Sequence, residues 1–197
     1  MKGVFINKKV LFDIGVAGPL SGFVVAIPFI IIGINLSTIQ SVTGNTSYFQ
    51  LGDPLIFKIV QRSLIGDIPK GSDLVLHPFG YAGWVGLFVT ALNLLPVGQL
   101  DGGHIVYAVC GEKSKWIFGA TIAALGAFSI FYNPGWLMLV IILLIFGMRH
   151  PQTFDAETEL DGKRKIIAFI ILIIFLLSFT LTPFPSLNIS KNEGIPI

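Results

Sequence analysis

The chain has 197 residues, 53% of them hydrophobic and only 12% charged, with a mean hydropathy of +0.81 and a formal net charge of +2. A soluble fold needs more charge than this to cover its surface, so the composition points to a polytopic membrane protein. The scattered basic residues leave no nucleic-acid footprint, and the single cysteine, Cys110, excludes an internal disulfide and reads as a packing residue.

Crossing about 30 Å of hydrocarbon takes roughly 20 apolar residues. Met1 to Lys9 is too polar for a signal peptide, and the first span then runs from Val10 to Leu36 with one charge, Asp13, near its start. Gly18 and Gly22 form a small-xxx-small pair in it, which lets a neighbouring helix approach closely. Ser37 to Pro78 is the longest polar segment. Within it Phe57 to Ile65 places Lys58 and Arg62 four apart on one face, which fits either an interfacial amphipathic helix or an ordinary extramembrane loop.

A second span, from about Gly80 to Val109, is broken at Pro96. No charge occurs between Lys115 and Arg149, yet one helix through that stretch would be about 50 Å long, too long for a single crossing. Asn133-Pro134-Gly135 has turn chemistry and splits it into Trp116–Tyr132 and Pro134–Met148. The last span, Ile166 to about Leu181, stops at the prolines of Thr182-Pro183-Phe184-Pro185. The fold class expected is therefore all-α: a multi-pass membrane protein of about five transmembrane helices, one domain over residues 1–185 and a short polar tail over 186–197. Trp84, Trp116 and Trp136 fall near span ends and read as interface anchors, and Asp155, Glu157, Glu159 and Asp161 as a solvated loop.

With five spans, nine lysines and arginines share one side and four the other. The positive-inside rule then puts the N-terminus and the connections 111–115 and 149–165 in the cytoplasm of a cell-membrane protein.

The polar island Asn93 to His104, NLLPVGQLDGGH, lies inside this apolar frame. Pro96 blocks the helix and frees carbonyls near Leu92 and Asn93, and broken backbone survives at membrane depth only against protein or a wet cavity. Asp101 has no lysine or arginine within ten residues. It either caps the helix that follows or meets a cation from elsewhere, a distant side chain or a metal. His104, three residues on, reads as a hydrogen-bonded interfacial histidine or a minor metal contributor. His77 and His150, each before a proline, read as loop residues.

Ala91 to His104 resembles the Asn-x-x-Pro…Leu-Asp-Gly signature of the site-2 protease family of intramembrane zinc metalloproteases, in its archaeal, cyanobacterial and chloroplast branch. Phe12 to Gly22, His77 to Leu87 and Gly147 to Pro151 resemble the same branch. The resemblance implies a metalloprotease-like domain in which Asp101 is the third zinc ligand and Asn93 positions substrate or the developing oxyanion. It also implies that the backbone around Pro96, Gly98 and Gln99 pairs with an unwound substrate strand. The family's other ligands and base come from an His-Glu-x-x-His helix, the expected neighbour of Gly18 and Gly22. No His-Glu-x-x-His occurs in the 197 residues. Zinc is accordingly expected for the complete family site and not as a firm ligand of this chain alone. The expected partners are the lipid bilayer and transmembrane protein substrates. Three readings follow: an N-terminally shortened protease, inactive without an upstream segment; a pseudoprotease that binds transmembrane partners without cutting; or a small transporter or channel subunit in which Asn93, Asp101 and His104 line a polar path.

Overall fold

A computed structural model describes residues 5–41, 52–131, 133–147, 153–155 and 159–181. The tail 186–197, His150 and most of the 147–151 match lie outside the described residues. Strand β1 (Phe5–Asn7) leads into helix α1 (Lys8–Asn35), followed by β2 (Thr38–Ser41), α2 (Leu55–Ile65), β3 (Ser72–Val75) and α3 (Pro78–Asn93). Then come α4 (Asp101–Cys110), a 3-10 turn (Gly111–Lys113), α5 (Ser114–Phe131), α6 (Gly135–Gly147), β4 (Thr153–Asp155) and α7 (Gly162–Ser178).

The chain is mostly helical, with one correction to the all-α expectation. β1 pairs in parallel with β4, and β2 pairs antiparallel with β3, from Thr38 opposite Val75 to Ser41 opposite Ser72. Each ribbon has two strands of three or four residues, too short for any local periodicity to announce it.

Helix α1 organises the rest. Asn7 caps it, its side chain accepting a hydrogen bond from the Val10 amide at 3.0 Å. At 28 residues it is about 42 Å long, enough to cross a bilayer. It packs chiefly on α3 and α4. At the α1–α3 crossing a methyl on Gly33 would strike the backbone of Gly80, so the two helices touch main chain to main chain.

Three apolar clusters hold the helices together. Phe12 and Val16 of α1 pack with Leu94, Ile105 of α4 and Ile171 and Ile174 of α7. Ala26, Ile30 and Ile34 pack with Phe57 of α2 and with Trp84 and Leu87 of α3. Leu95 and Val97 pack with Leu125 of α5 and with Trp136, Val140 and Leu143 of α6. The segment 57–65 is thus a helix, buried on one side and exposed at Lys58 and Arg62 on the other.

Two stretches, Lys8–Asn35 and Asp101–Phe131, are long and apolar enough to cross a membrane by length and composition, and Gly135–Ile145 is a shorter apolar helix. Gly111, at φ 58, lies where side chains are strained, and it turns the chain between α4 and α5. Phe131, Met138 and Phe169 leave their side chains open, which suits lipid and not water. Trp116 is 75% exposed, as an interface anchor requires. Trp84 and Trp136 do not, because both are buried and their indole N–H groups donate to the carbonyls of Gly52 (3.0 Å) and Leu181 (2.8 Å).

One face of α1 has no partner among the described residues. Val10, Ile14, Ala17, Ser21, Val24 and Pro28 are all exposed, at alternating spacings of four and three. A stripe repeating every 3.5 residues is the seam along which helices pair.

Candidate functional site

Helix α3 ends at Asn93, three residues ahead of the proline that cannot continue it. The chain then makes two tight turns. The Leu94 amide donates to the Thr90 carbonyl (3.0 Å) and the Leu95 amide to that of Leu92 (3.2 Å). The Val97 amide donates to the Leu95 carbonyl (2.7 Å) across Pro96, and the Leu100 amide to that of Val97 (2.9 Å). The expectation that the Leu92 carbonyl is left without a partner is therefore corrected: Leu95 satisfies it.

These turns lie directly on the start of α4. A methyl on Gly102 would overlap the carbonyls of Leu94 and Leu95, and one on Gly103 would lie 2.6 Å from the Val97 oxygen and 2.7 Å from that of Gly98. The Gly-Gly pair is what lets the broken segment fold against the new helix. Gly98 is buried in this contact, Pro96 is half-buried and Gln99 is exposed.

Asp101 is the first residue of α4, and Leu100 occupies the capping position. The capping alternative for Asp101 therefore falls. Its half-buried carboxylate makes no hydrogen bond or ion pair among the described residues. It is instead directed at α1, where Oδ2 lies 2.9 Å from the position of a methyl on Gly18. A methyl on Gly15 would meet the Asp101 carbonyl at 3.1 Å and His104 Cβ at 3.2 Å, and one on Gly22 would meet Thr90 Oγ1 at 2.8 Å. The neighbours of Gly18 and Gly22 are thus Asp101 and Thr90 of this same chain. Gly18 is itself exposed, so the carboxylate borders the open seam of α1.

Asn93 is half-buried at the end of α3, one helical turn beyond Thr90, whose hydroxyl donates to the Gly86 carbonyl at 2.8 Å. Thr90 and Gly15 escaped the sequence reading. Their signal was positional: Thr90 lies three residues before Asn93, and Gly15 three before Gly18. His77 caps α3, its Nδ1 accepting from the Phe79 amide at 3.3 Å, and stands apart from the Asp101 region in sequence and role.

A charged clasp closes the end of α1 nearest this site. Arg164 of α7 holds Asp13 with two bonds, Nε to Oδ1 at 2.9 Å and Nη2 to Oδ2 at 2.6 Å, and reaches Asp161 Oδ1 at 2.6 Å with Nη1. The Arg164 hydrogen bond holds the Asp161 carboxyl below the ordinary carboxylate range, and the two aspartates push the guanidinium further up. Asp13 precedes Gly18 by five residues, about 7.5 Å along the helix.

Zinc is held by four ligands, or by three plus water. Among the described residues no three His, Cys, Asp or Glu side chains gather to hold a metal. The residues present fit one arm of such a centre, an unpartnered carboxylate at an open face, and not a complete one.

The chain is similar to proteins already known. The probable zinc metalloprotease EGY2, chloroplastic, of Arabidopsis thaliana is 26% identical over 199 residues, covering 100% of this chain and 35% of its own. The probable zinc metalloprotease EGY1, chloroplastic, of Oryza sativa subsp. japonica is 30% identical over 188 residues, covering 92% and 32%. The DDT domain-containing protein PTM of Arabidopsis thaliana is 32% identical over 132 residues, 64% of this chain and 8% of its own. The chain spans about a third of the length of the two metalloproteases. No solved structure matches it. The sequence profile of peptidase family M50 covers residues 6–132, so the chain belongs to that family, the site-2 proteases.

Proposed function

We propose that this chain supplies the aspartate half of a membrane-embedded zinc peptidase site, and that the His-Glu-x-x-His half comes from outside residues 1–197, on the same polypeptide or another. The observation that carries this reading is the Asp101 carboxylate: half-buried, without a hydrogen bond or cation among the described residues, and set beside Gly18 at the unpartnered seam of α1. A carboxylate at membrane depth is costly unless something compensates it. The occupant of the seam is a helix bringing two histidines four apart, which lie on one face. The relatives, about three times longer than the stretch they share with this chain, have room for one.

When bound, zinc polarises the scissile carbonyl and activates water. This chain's residues do the rest by position. Gly18 leaves space for the carboxylate of Asp101 and fixes its approach. Asn93 offers an amide N–H where the carbonyl oxygen of the substrate gains charge. The segment from Pro96 to Gln99, already non-helical, offers main chain to a substrate whose own helix must unwind before cleavage. The substrates are transmembrane proteins, and the N-terminus and the connections 111–115 and 149–165 share the cytoplasmic face of the membrane.

A second reading is a helix bundle that binds transmembrane partners without cutting them.

The experiment is to express the chain with and without an His-Glu-x-x-His helix from a related metalloprotease. Bound zinc is measured by mass spectrometry of the metal, and cleavage on a transmembrane peptide. Stoichiometric zinc and cleavage are expected only with the helix. Asp101→Asn is expected to cost more than the roughly 10–100-fold in zinc affinity typical of residues behind the ligands. Retention of both zinc and cleavage by Asp101→Asn would remove its assignment as a ligand. Firm zinc without cleavage would favour the binding-only reading.

A further inference from the structure

Helix α2 is used by none of the chemistry above. Its inner side is anchored by Phe57, 3% exposed, against Ala26, Ile30 and Ile34 of α1. That contact fixes its depth. If the Asp13–Arg164 clasp marks one boundary of the hydrocarbon, the other comes about 30 Å and 20 residues later, near Gly33. Helix α2 packs on α1 through Ala26, Ile30 and Ile34, toward that second boundary.

Its outer side is built unlike a solvated surface. Leu55 and Ile59 are 52% and 47% exposed, beside the exposed cations Lys58 and Arg62. These four line a cleft of about 490 Å³ together with two carboxylates, Asp53 and Asp67. The Arg62 Nε bond to Asp67 Oδ1, at 2.8 Å, uses one of five guanidinium N–H donors and leaves the terminal nitrogens for another acceptor. Desolvation raises the Asp53 carboxyl, with Lys58 opposing and Asp73 of β3 adding to the rise, while the residue stays exposed at the edge of the cleft.

We propose that this cleft binds the headgroup of a zwitterionic aminophospholipid. Lys58 and Arg62 take the phosphate, Asp53 takes the ammonium, and the acyl chains run along Leu55 and Ile59. Two cations and two acids in one cleft match a headgroup that itself carries both signs, and an anionic lipid would leave the acids facing like charge. The ammonium must have N–H bonds to give, which separates ethanolamine from choline headgroups. The apolar pair commits the site to a lipid and not to the free headgroup.

The test uses the purified 197-residue chain in detergent and reads retained lipid by native mass spectrometry. The probes are phosphatidylethanolamine, phosphatidylcholine and phosphatidylglycerol of identical acyl chains. Phosphatidylethanolamine is expected to be retained about tenfold over both, the size of one charge-assisted hydrogen bond. Lys58→Ala should lower retention of every phospholipid, and Asp53→Asn should abolish only the preference for ethanolamine. Both substitutions are on exposed positions, and an unchanged thermal midpoint shows that the bundle is intact. Best retention of phosphatidylglycerol, or an ethanolamine preference that survives Asp53→Asn, overturns the proposal. So does displacement of the lipid by millimolar phosphoethanolamine, which would make the free headgroup the ligand.

Discussion

The Oδ2 of Asp101 lies 2.9 Å from where a side chain on Gly18 would begin, which ties the one unpartnered carboxylate of the site to a single bare position on α1. Gly18→Ala therefore presses on the far end of a side chain that can swing away. We expect a fall in zinc affinity of the completed site of at least about tenfold, the scale seen when support around a ligand is disturbed. The loss in thermal midpoint should be small. Metal titration beside thermal melting separates the two, and a large melting loss with unchanged zinc affinity would make Gly18 a packing residue only.

Gly33→Ala is the opposite case. Its methyl would meet the backbone of Gly80, which cannot rotate out of the way. The expected cost is about 3 kcal/mol or more, at the upper end of overpacking effects. Thermal melting in detergent would show it, and Gly119→Ala, in α5 with open space around it, is the control that should hold or raise the melting temperature.

The two-bond hold of Arg164 on Asp13 predicts that Arg164→Lys does not substitute for arginine, because an ammonium cannot match both carboxylate oxygens at once. Both groups are partly open to solvent, Asp13 at 52% of its side chain, so the stability at stake is modest. The exchange Asp13→Arg with Arg164→Asp should lose less melting temperature than the two single variants added together, without restoring the bond of Arg164 to Asp161. A loss in the double equal to that sum would show that the pair does not hold α1 to α7.

Acid should loosen the same clasp. The folded pKa of Asp161 is depressed by its bond to Arg164, so its contribution is fully present above the unfolded value of about 3.9 and is lost as pH falls through the folded value. The melting temperatures of the wild type and Asp161→Asn should differ by a constant amount from pH 5 to 8 and converge below pH 4. A difference that varies between pH 5 and 8 would assign the dependence to another group.

Much of the architecture was legible because long apolar periodicity and turn chemistry are local signals. The stretches expected from Val10, Trp116, Pro134 and Ile166 form the helices α1, α5, α6 and α7, of which by length and composition only α1 and the stretch Asp101–Phe131 that contains α5 reach membrane-crossing length among the described residues, and the turn at Asn133-Pro134-Gly135 separates α5 from α6, the Asn133 side chain accepting from the Gly135 amide at 2.7 Å. Relations between distant residues were not legible. Asp13 read as a lone charge because its partner is 151 positions away. The strand pairs are too short to leave a pattern, and Trp84 and Trp136 read as surface anchors because a sequence does not reveal which carbonyl will receive an indole N–H. At the site, Asp101 and Asn93 were found by motif. That Asp101 is not a cap depended on where α4 begins, a matter of one residue.

The bare stripe of α1 from Val10 to Pro28 also bears on how the chain fares in a living membrane. A span made with an open mating edge is the kind that cellular surveillance proteases remove or that joins aggregates. The steady-state abundance of this polypeptide should then rise severalfold when a matching helix is synthesised alongside it. Its half-life in cells becomes a reporter of assembly that needs neither metal nor substrate.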